Sequence, residues 1–144
     1  MNEFLMANAE FSKFSRNYME LKKGLPIRPS EMGVLNIIAE TPGPHTPVLL
    51  AELLGVSKPM IAAHVSVLME KGYIVKQQSS DDKRVFYVLP TEKALALVAS
   101  AKEDMDQQLS QLVENMGQNE FRTLVSLVKE ANKILEVNLG KEIN

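Results

Sequence analysis

The residue types best suited to chemistry lie in the stretch SSDDKRVFYVLPT, which runs from Ser79 to Thr91. The stretch becomes basic at Lys83 and Arg84 and continues as a strand-like run of aromatic and β-branched residues. A guanidinium held out on a stiff hairpin could enter the narrow minor groove of DNA, where negative potential is concentrated. Asp82 would repel phosphate there, so we expect its side chain to order the turn by bonding nearby amides. An ordinary solvated hairpin tip has the same residue types, and this alternative stays open.

Other chemistries have little support in the sequence. There is no cysteine, no GxSxG motif and no phosphate-binding glycine loop. The two histidines are not spaced as metal ligands. We expect His45 to be exposed in a loop, and His64 to be packed on a helix flank or to touch phosphate. The sequence therefore predicts a protein that is not an enzyme and that has no metal site and no cofactor.

Length and charge set broad limits on the class of protein. A chain of 144 residues suits one compact domain with an added interface. No apolar run is long enough to span a bilayer, and MNEFLMANAE lacks the features of a secretory signal. We therefore expect a cytoplasmic location and no membrane partner. The net charge is −2, but the segment from Ser57 to Lys93 has six basic and four acidic residues, a local net of +2.

Helix signals divide the first half of the chain. Apolar residues recur every three or four positions from Asn2 to about Lys23, which predicts an amphipathic helix. Ser30 is the predicted N-cap of a second helix, and Thr46 before a proline is that of a short third helix. A fourth helix follows closely, from its predicted N-cap Ser57 to about residue 71. The short connection between the third and fourth helices is typical of a helix-turn-helix.

The second half continues with a β-hairpin and two long helices. YIVKQQ and RVFYVL read as paired strands around the polar turn. Thr91 caps a fifth helix that reaches Met116, and a sixth helix follows Gly117. The predicted fold class is mainly α (α+β), a winged helix-turn-helix over 30–94 with dimerisation helices in 1–29 and 95–144. A domain this small has few places to bury the apolar faces of those helices, and a second copy of the chain would supply one.

The fourth helix has an unusual outward face. Ile61, Val65 and Leu68 share the side that should pack inward. The opposite side offers small and apolar residues, whereas a major-groove helix normally presents Arg, Asn or Gln to base edges. One interpretation is a small-residue face that approaches DNA closely and touches thymine methyl groups and backbone. The other is a helix that is buried or covered by a partner.

Taken together, these motifs resemble the MarR family of bacterial winged-helix transcription regulators. The resemblance runs from PSEMGVLNIIAE through LAELLGVSKPMIAAHVSVLMEKGYIVK to DDKRVFYVLPTEKA. The family's wing pattern, Asp-x-Arg followed by a strand and a Thr, is matched by Asp82, Arg84 and Thr91. The Leu-x-x-Lys-Gly before the wing is matched by LMEKG, which ends at Gly72. The chain departs from the family on the reading helix, where Met60, Ala62 and Ala63 stand in place of the usual Ser or Thr and Arg.

The resemblance implies a homodimer that binds double-stranded DNA at a pseudo-palindromic operator, with Arg84 in the minor groove. Repressor and activator are not distinguished by the chain, and we favour a repressor whose DNA binding is relieved by a small aromatic or apolar effector. A winged-helix module for protein–protein contact without specific DNA binding is the alternative. The predicted DNA-binding residues are Ser57, Lys58, Pro59, Ala62, Ala63, His64, Ser66, Lys76, Lys83 and Arg84. The predicted effector pocket comprises Phe11, Phe14, Arg16, Tyr18 and Met32.

Overall fold

A computed structural model of the chain describes residues 2–140. Residues 1 and 141–144, which the predicted dimerisation region includes, lie outside the described part. Within residues 2–140, six helices and one two-stranded sheet follow the predicted order. The elements are α1 (Glu3–Glu20), α2 (Pro29–Glu40), α3 (Pro47–Leu54), α4 (Lys58–Glu70), β1 (Ile74–Gln78), β2 (Phe86–Pro90), α5 (Glu92–Met116) and α6 (Gln118–Asn138).

The helix-turn-helix is defined by local hydrogen bonds that the sequence predicts. The Thr46 hydroxyl accepts from the Leu49 amide at 3.2 Å and opens α3. Gly55 ends α3 with a φ of 65°, a left-handed conformation that glycine adopts without a steric penalty. The Ser57 hydroxyl then opens α4 by accepting from the Met60 amide at 3.2 Å. The helix α3 thus ends and α4 begins with only three residues between them, which confirms the predicted turn.

The predicted N-cap of α2 was wrong by two residues. Arg28, not Ser30, is the N-cap, and Pro29 is the first helical residue. Proline is well suited to that position because it has no N–H to leave unpaired and its φ is already helical. The Arg28 amide instead donates to the carboxylate of Glu31 at 2.9 Å.

The wing is an antiparallel hairpin that also bonds to the loop before α3. Ile74 lies opposite Pro90, and Gln78 lies opposite Phe86. On the outer edge of β2, the Val88 amide donates to the carbonyl of His45 at 2.9 Å. This contact fixes the middle of the wing to the helix-turn-helix.

The expectation that His45 is exposed was wrong. Only 4% of the residue is exposed, and its Nε2 lies 2.8 Å from the Thr41 hydroxyl. That hydroxyl also lies 2.6 Å from the carbonyl of Ile37, where its single proton is donated. Thr41 therefore accepts from His45, and Nε2 carries the ring proton. The imidazole is a structural group at the base of the wing.

The core lies between the helix-turn-helix, α2 and the wing. Its members are apolar side chains that each element directs inward, and α5 contributes only through its first turns. The largest of those that are almost fully buried are Val34, Leu35, Leu50, Ile61, Leu68, Ile74 and Val88. Burial of such side chains contributes about 1.5–3 kcal/mol each to folding. This core holds α4 and the wing in a fixed relation.

The chain divides into two compact units. The first ends at Met105, and the second begins at Asp106. In the first unit, α1 has no buried residue, and in the second unit α6 has none. No single helix among the described residues is long and apolar enough to cross a membrane, although the bent pair α3 and α4, at 116°, passes that test when joined.

Candidate nucleic-acid interface

The first turn of α4 exposes its N-terminal end to solvent. Ser57, Lys58 and Pro59 are all exposed there. The Ser57 hydroxyl is engaged as the N-cap and satisfies the Met60 amide, and Pro59 has no N–H, so the Lys58 amide is the helical amide left to bind an anion. The Lys58 ammonium adds a full positive charge close to that amide. The arrangement is suited to a phosphate oxygen.

The two faces of α4 are divided as the sequence predicts. Ile61, Val65 and Leu68 are buried in the core. Ala62, Ala63 and Ser66 are exposed on the opposite side. Met60 is 49% exposed near the start of this outward face, and His64 is half-buried on its flank. The outward face therefore offers methyl groups, a thioether and one hydroxyl, with the carboxylate of Glu70 at its C-terminal end.

The wing tip is ordered by side chains that cap its own amides. The Ser79 hydroxyl accepts from the amides of Asp81 at 3.2 Å and Asp82 at 3.4 Å. The Asp82 carboxylate accepts from the Arg84 amide at 2.9 Å. The predicted turn-ordering role of Asp82 is thus present in the structure. Sequence reasoning did not identify Ser79, although a serine two residues before an acidic residue in a turn is a signal for this motif.

Asp82 also holds the side chain of Arg84. The Arg84 Nε donates to one carboxylate oxygen and Nη2 to the other, each at 3.2 Å. These bonds, with the weaker effect of the Arg84 amide, lower the pKa of Asp82 from 3.8. The Arg84 side chain is nevertheless 90% exposed. The guanidinium therefore projects into solvent in a defined orientation.

The two other predicted wing cations differ in their surroundings. Lys83 is exposed at the tip, and its carbonyl accepts a hydrogen bond from the Gln78 side chain. Lys76 lies nearer the base, with Nζ 4.1 Å from the centroid of the Phe86 ring. A cation over an aromatic face is attracted by the ring quadrupole. Lys76 is thus partly engaged within the protein, whereas Lys83 faces solvent.

The residues of the predicted effector pocket differ in exposure within a single copy of the chain. Arg16 and the aromatic residues of α1 are exposed, Phe11 by 72%, and the Phe14 and Tyr18 rings stack with centroids 6.2 Å apart. Met32 is 6% exposed and belongs to the core. The predicted pocket stays a prediction.

Within residues 2–140, neither histidine belongs to a group of side chains that could hold a metal ion. His45 is bonded to Thr41, and His64 lies on the flank of α4. Among residues 2–140, no three His, Asp or Glu side chains are grouped so that they could hold a metal ion. The interface described above rests on amides, cations and apolar groups.

Comparison with known proteins finds one matching family model and several solved structures with a similar fold. Residues 24–85 match the model of the MarR family. Streptococcus pneumoniae FabT, solved in complex with DNA, superposes with a TM-score of 0.80 at 19% identity over 93% of this chain and 98% of that chain. The transcriptional repressor CouR, bound to a 23-mer DNA duplex, gives 0.72 at 22% identity over 92% of each chain. A MarR protein from Peptoclostridium difficile gives 0.70 at 24% identity, over 95% of this chain and 90% of that chain.

Proposed function

We propose that this chain, whose residues 24–85 match the model of the MarR family, is a DNA-binding transcription regulator of that family rather than an enzyme. The observation that carries the proposal is the position of the matched segment. Residues 24–85 contain both helices of the helix-turn-helix and the whole wing tip. FabT and CouR, which have the same fold, were solved with DNA, and CouR is a repressor. Repression is accordingly the mode of action we propose.

In this function α4 lies in the major groove and the wing follows the sugar-phosphate backbone into the adjacent minor groove. The backbone amide and the ammonium of Lys58, at the start of α4, bind phosphate and fix the register of the helix. Arg84, which Asp82 holds outward, enters the minor groove. Lys83 and Lys76 contact the backbone on either side of that insertion.

The outward face of α4 reads bases through apolar contacts. Ala62 and Ala63 have no side-chain donor or acceptor, and Met60 has only a weak acceptor. The C5-methyl group of thymine is the apolar feature that the major groove displays. We therefore propose that this face recognises thymine methyl groups at close approach, while Ser66 and His64 make the polar contacts.

The functional form is a homodimer on a pseudo-palindromic operator. The helices α1 and α6 each expose large apolar side chains along their length, which a monomer would leave in water. A second copy of the chain covers them in the proposed dimer and places two α4 helices on successive half-sites. A small aromatic or apolar effector that binds near Phe11, Phe14 and Tyr18 would relieve DNA binding. Since bacterial DNA lies in the cytoplasm, the protein acts there.

Selection from a random duplex library by the purified full-length chain tests this function. Rounds of selection should converge on an inverted repeat, and the chain should bind it far more tightly than a scrambled duplex of the same composition. Failure to enrich any sequence would contradict the proposal. The alternative, a winged-helix module for protein contact, would then be favoured by the apolar outward face of α4.

A further inference from the structure

The C-terminal end of α4 is closed by a turn at Gly72. Gly72 has a φ of 82°, and the amides of Gly72 and Tyr73 donate back to the carbonyls of Met69 and Leu68 at 3.1 and 2.9 Å. This pattern is a Schellman motif, which satisfies the carbonyls of Met69 and Leu68 near the end of the helix. The carbonyls of Lys71, Gly72 and Tyr73 still require donors from elsewhere.

The donors come from the beginning of α5. The Lys93 ammonium donates to the carbonyl of Lys71 at 2.6 Å. The Thr91 hydroxyl donates to the carbonyl of Gly72 at 2.8 Å, and the Thr91 amide donates to that of Tyr73 at 3.0 Å. Three consecutive carbonyls, at the C-cap of α4 and in the turn that follows it, are therefore bound by two residues that start the next helix.

The charge of Lys93 interacts unfavourably with the dipole of its own helix, α5. It lies in the first turn of α5, where the helix dipole favours acidic side chains and disfavours a cation. At the C-terminal end of α4 the same dipole rule favours a cation. Its ammonium also lies 4.5 Å from the centroid of the Tyr73 ring, whose residue is buried. The charge of Lys93 thus stabilises the end of α4 and a core aromatic residue at once.

A lysine exposed in a DNA-binding domain would ordinarily be counted among the phosphate contacts. We infer that Lys93 is instead a positioning residue, which together with Thr91 fixes the direction of α4 relative to α5. This inference rests on the proposed function, because the direction of α4 determines how it meets the major groove. Without the ammonium, α4 would sample other directions, and the apparent Kd would rise in inverse proportion to the competent fraction. If that fraction is halved in each subunit of a dimer, the Kd for specific DNA rises about fourfold.

The test compares Lys93→Met with Lys83→Met in the full-length chain. Lys93→Met keeps a long apolar side chain but loses the ammonium, and Lys83→Met removes a cation at the wing tip. Fluorescence anisotropy at several salt concentrations measures binding to the library-selected duplex and to its scrambled counterpart. Hydrogen exchange of the Lys71, Gly72 and Tyr73 amides is measured without DNA.

The two variants should show opposite patterns. Lys93→Met should weaken binding to the selected duplex about fourfold, with the same salt dependence and the same affinity for scrambled DNA. It should also speed amide exchange at the end of α4, and Lys93→Arg should restore both properties. Lys83→Met should lower the salt slope by about one for each phosphate that Lys83 neutralises in the parent, and it should leave that amide exchange unchanged.

Two outcomes would overturn the inference. One is unchanged amide exchange in Lys93→Met, which would show that the ammonium does not hold the end of α4, whether or not DNA is bound. The other is a shallower salt dependence with equal weakening on both duplexes, the behaviour of a phosphate contact. If the parent chain binds both duplexes equally, the proposed function is contradicted. Amide exchange in Lys93→Met would then decide by itself whether the Lys93 ammonium holds the end of α4.

Discussion

Asp82 and Arg84 meet through two parallel hydrogen bonds at the tip of the wing, with both carboxylate oxygens engaged. The same carboxylate accepts from the Arg84 amide, so one side chain sets both the backbone turn and the direction of the guanidinium. An exposed arginine without such a partner would spread over many rotamers and lose that freedom on binding. The pair therefore presents a charge whose position is already defined before DNA arrives.

Replacing Arg84 with alanine should weaken DNA binding much more than folding. The side chain is 90% exposed, so its removal should change the free energy of unfolding by no more than about 0.5 kcal/mol. Removing the guanidinium from the minor groove should cost about 1–3 kcal/mol of binding free energy per site. Since one cation is removed from each wing, the salt dependence should also become shallower. Anisotropy titrations at several salt concentrations and thermal melting measure these effects.

Lys76→Ala is the matched control for the wing. The Lys76 ammonium lies over the Phe86 ring nearer the base of the hairpin, so its removal should weaken binding less and leave sequence preference unchanged. Equal binding by the parent and Arg84→Ala at every salt concentration would show that the wing does not probe DNA.

The pH dependence of the wing should follow the ionisation of Asp82. Hydrogen bonds from the Arg84 side chain, and to a lesser degree from its amide, lower the Asp82 pKa from 3.8. Their contribution to order at the tip is therefore fully present above pH 3.8 and is lost as the pH falls through the lowered pKa. Carboxyl carbon NMR should give a titration midpoint below 3.8 in the parent. Arg84→Ala should move the midpoint upward, and identical midpoints in the two proteins would refute the pairing.

Base recognition by methyl contact can be tested on the DNA instead of the protein. Replacing thymine by deoxyuracil in the half-sites of the selected duplex removes only the C5-methyl groups. The affinity should fall by about 1 kcal/mol for each contacted thymine, since each replacement removes about one buried methyl group from the interface. The same replacement outside the half-sites is the control. Unchanged affinity after complete replacement would exclude methyl recognition by Ala62 and Ala63 while leaving DNA binding itself intact.

The dimer should depend on the apolar surface of α6. Ile134 is 55% exposed within the chain, so Ile134→Glu should have little effect on the fold of one copy. If a second copy covers this position, burying the carboxylate should raise the dimer dissociation constant about a hundredfold, or about 3 kcal/mol. The neighbouring exposed Lys133→Glu serves as a control for added negative charge. Sedimentation at low micromolar concentration should show a parent dimer and an Ile134→Glu monomer, and a monomeric parent would disprove the dimer.

The order of elements could be predicted because its signals are local. Thr46, Ser57 and Gly55 determine helix ends through bonds that span no more than five residues. The end of α5 at Met116 and the start of α6 after Gly117 agree with the prediction for the same reason. Periodicity alone also identified the buried side of α4, since Ile61, Val65 and Leu68 follow helical spacing.

The errors in prediction have nonlocal or competing causes. A loop rich in proline and glycine normally lies on the surface, yet His45 is buried because β2 bonds to it from more than 40 residues away. At α2, the proline at the first helical position outweighed the capping preference of Ser30. The side-chain pairing of Asp82 and Arg84 depends on turn dihedral angles that sequence spacing does not specify.

The hydrogen bond from Val88 to the His45 carbonyl has a thermodynamic consequence. It ties the hairpin to the body of the domain halfway along β2, only two residues after the strand begins at Phe86. A hairpin attached only at its base would move about that base, and it would lose this freedom of motion each time it bound DNA. Here the wing is ordered when the domain folds. The entropy that it loses therefore lowers the stability of the domain and does not lower its affinity for a ligand.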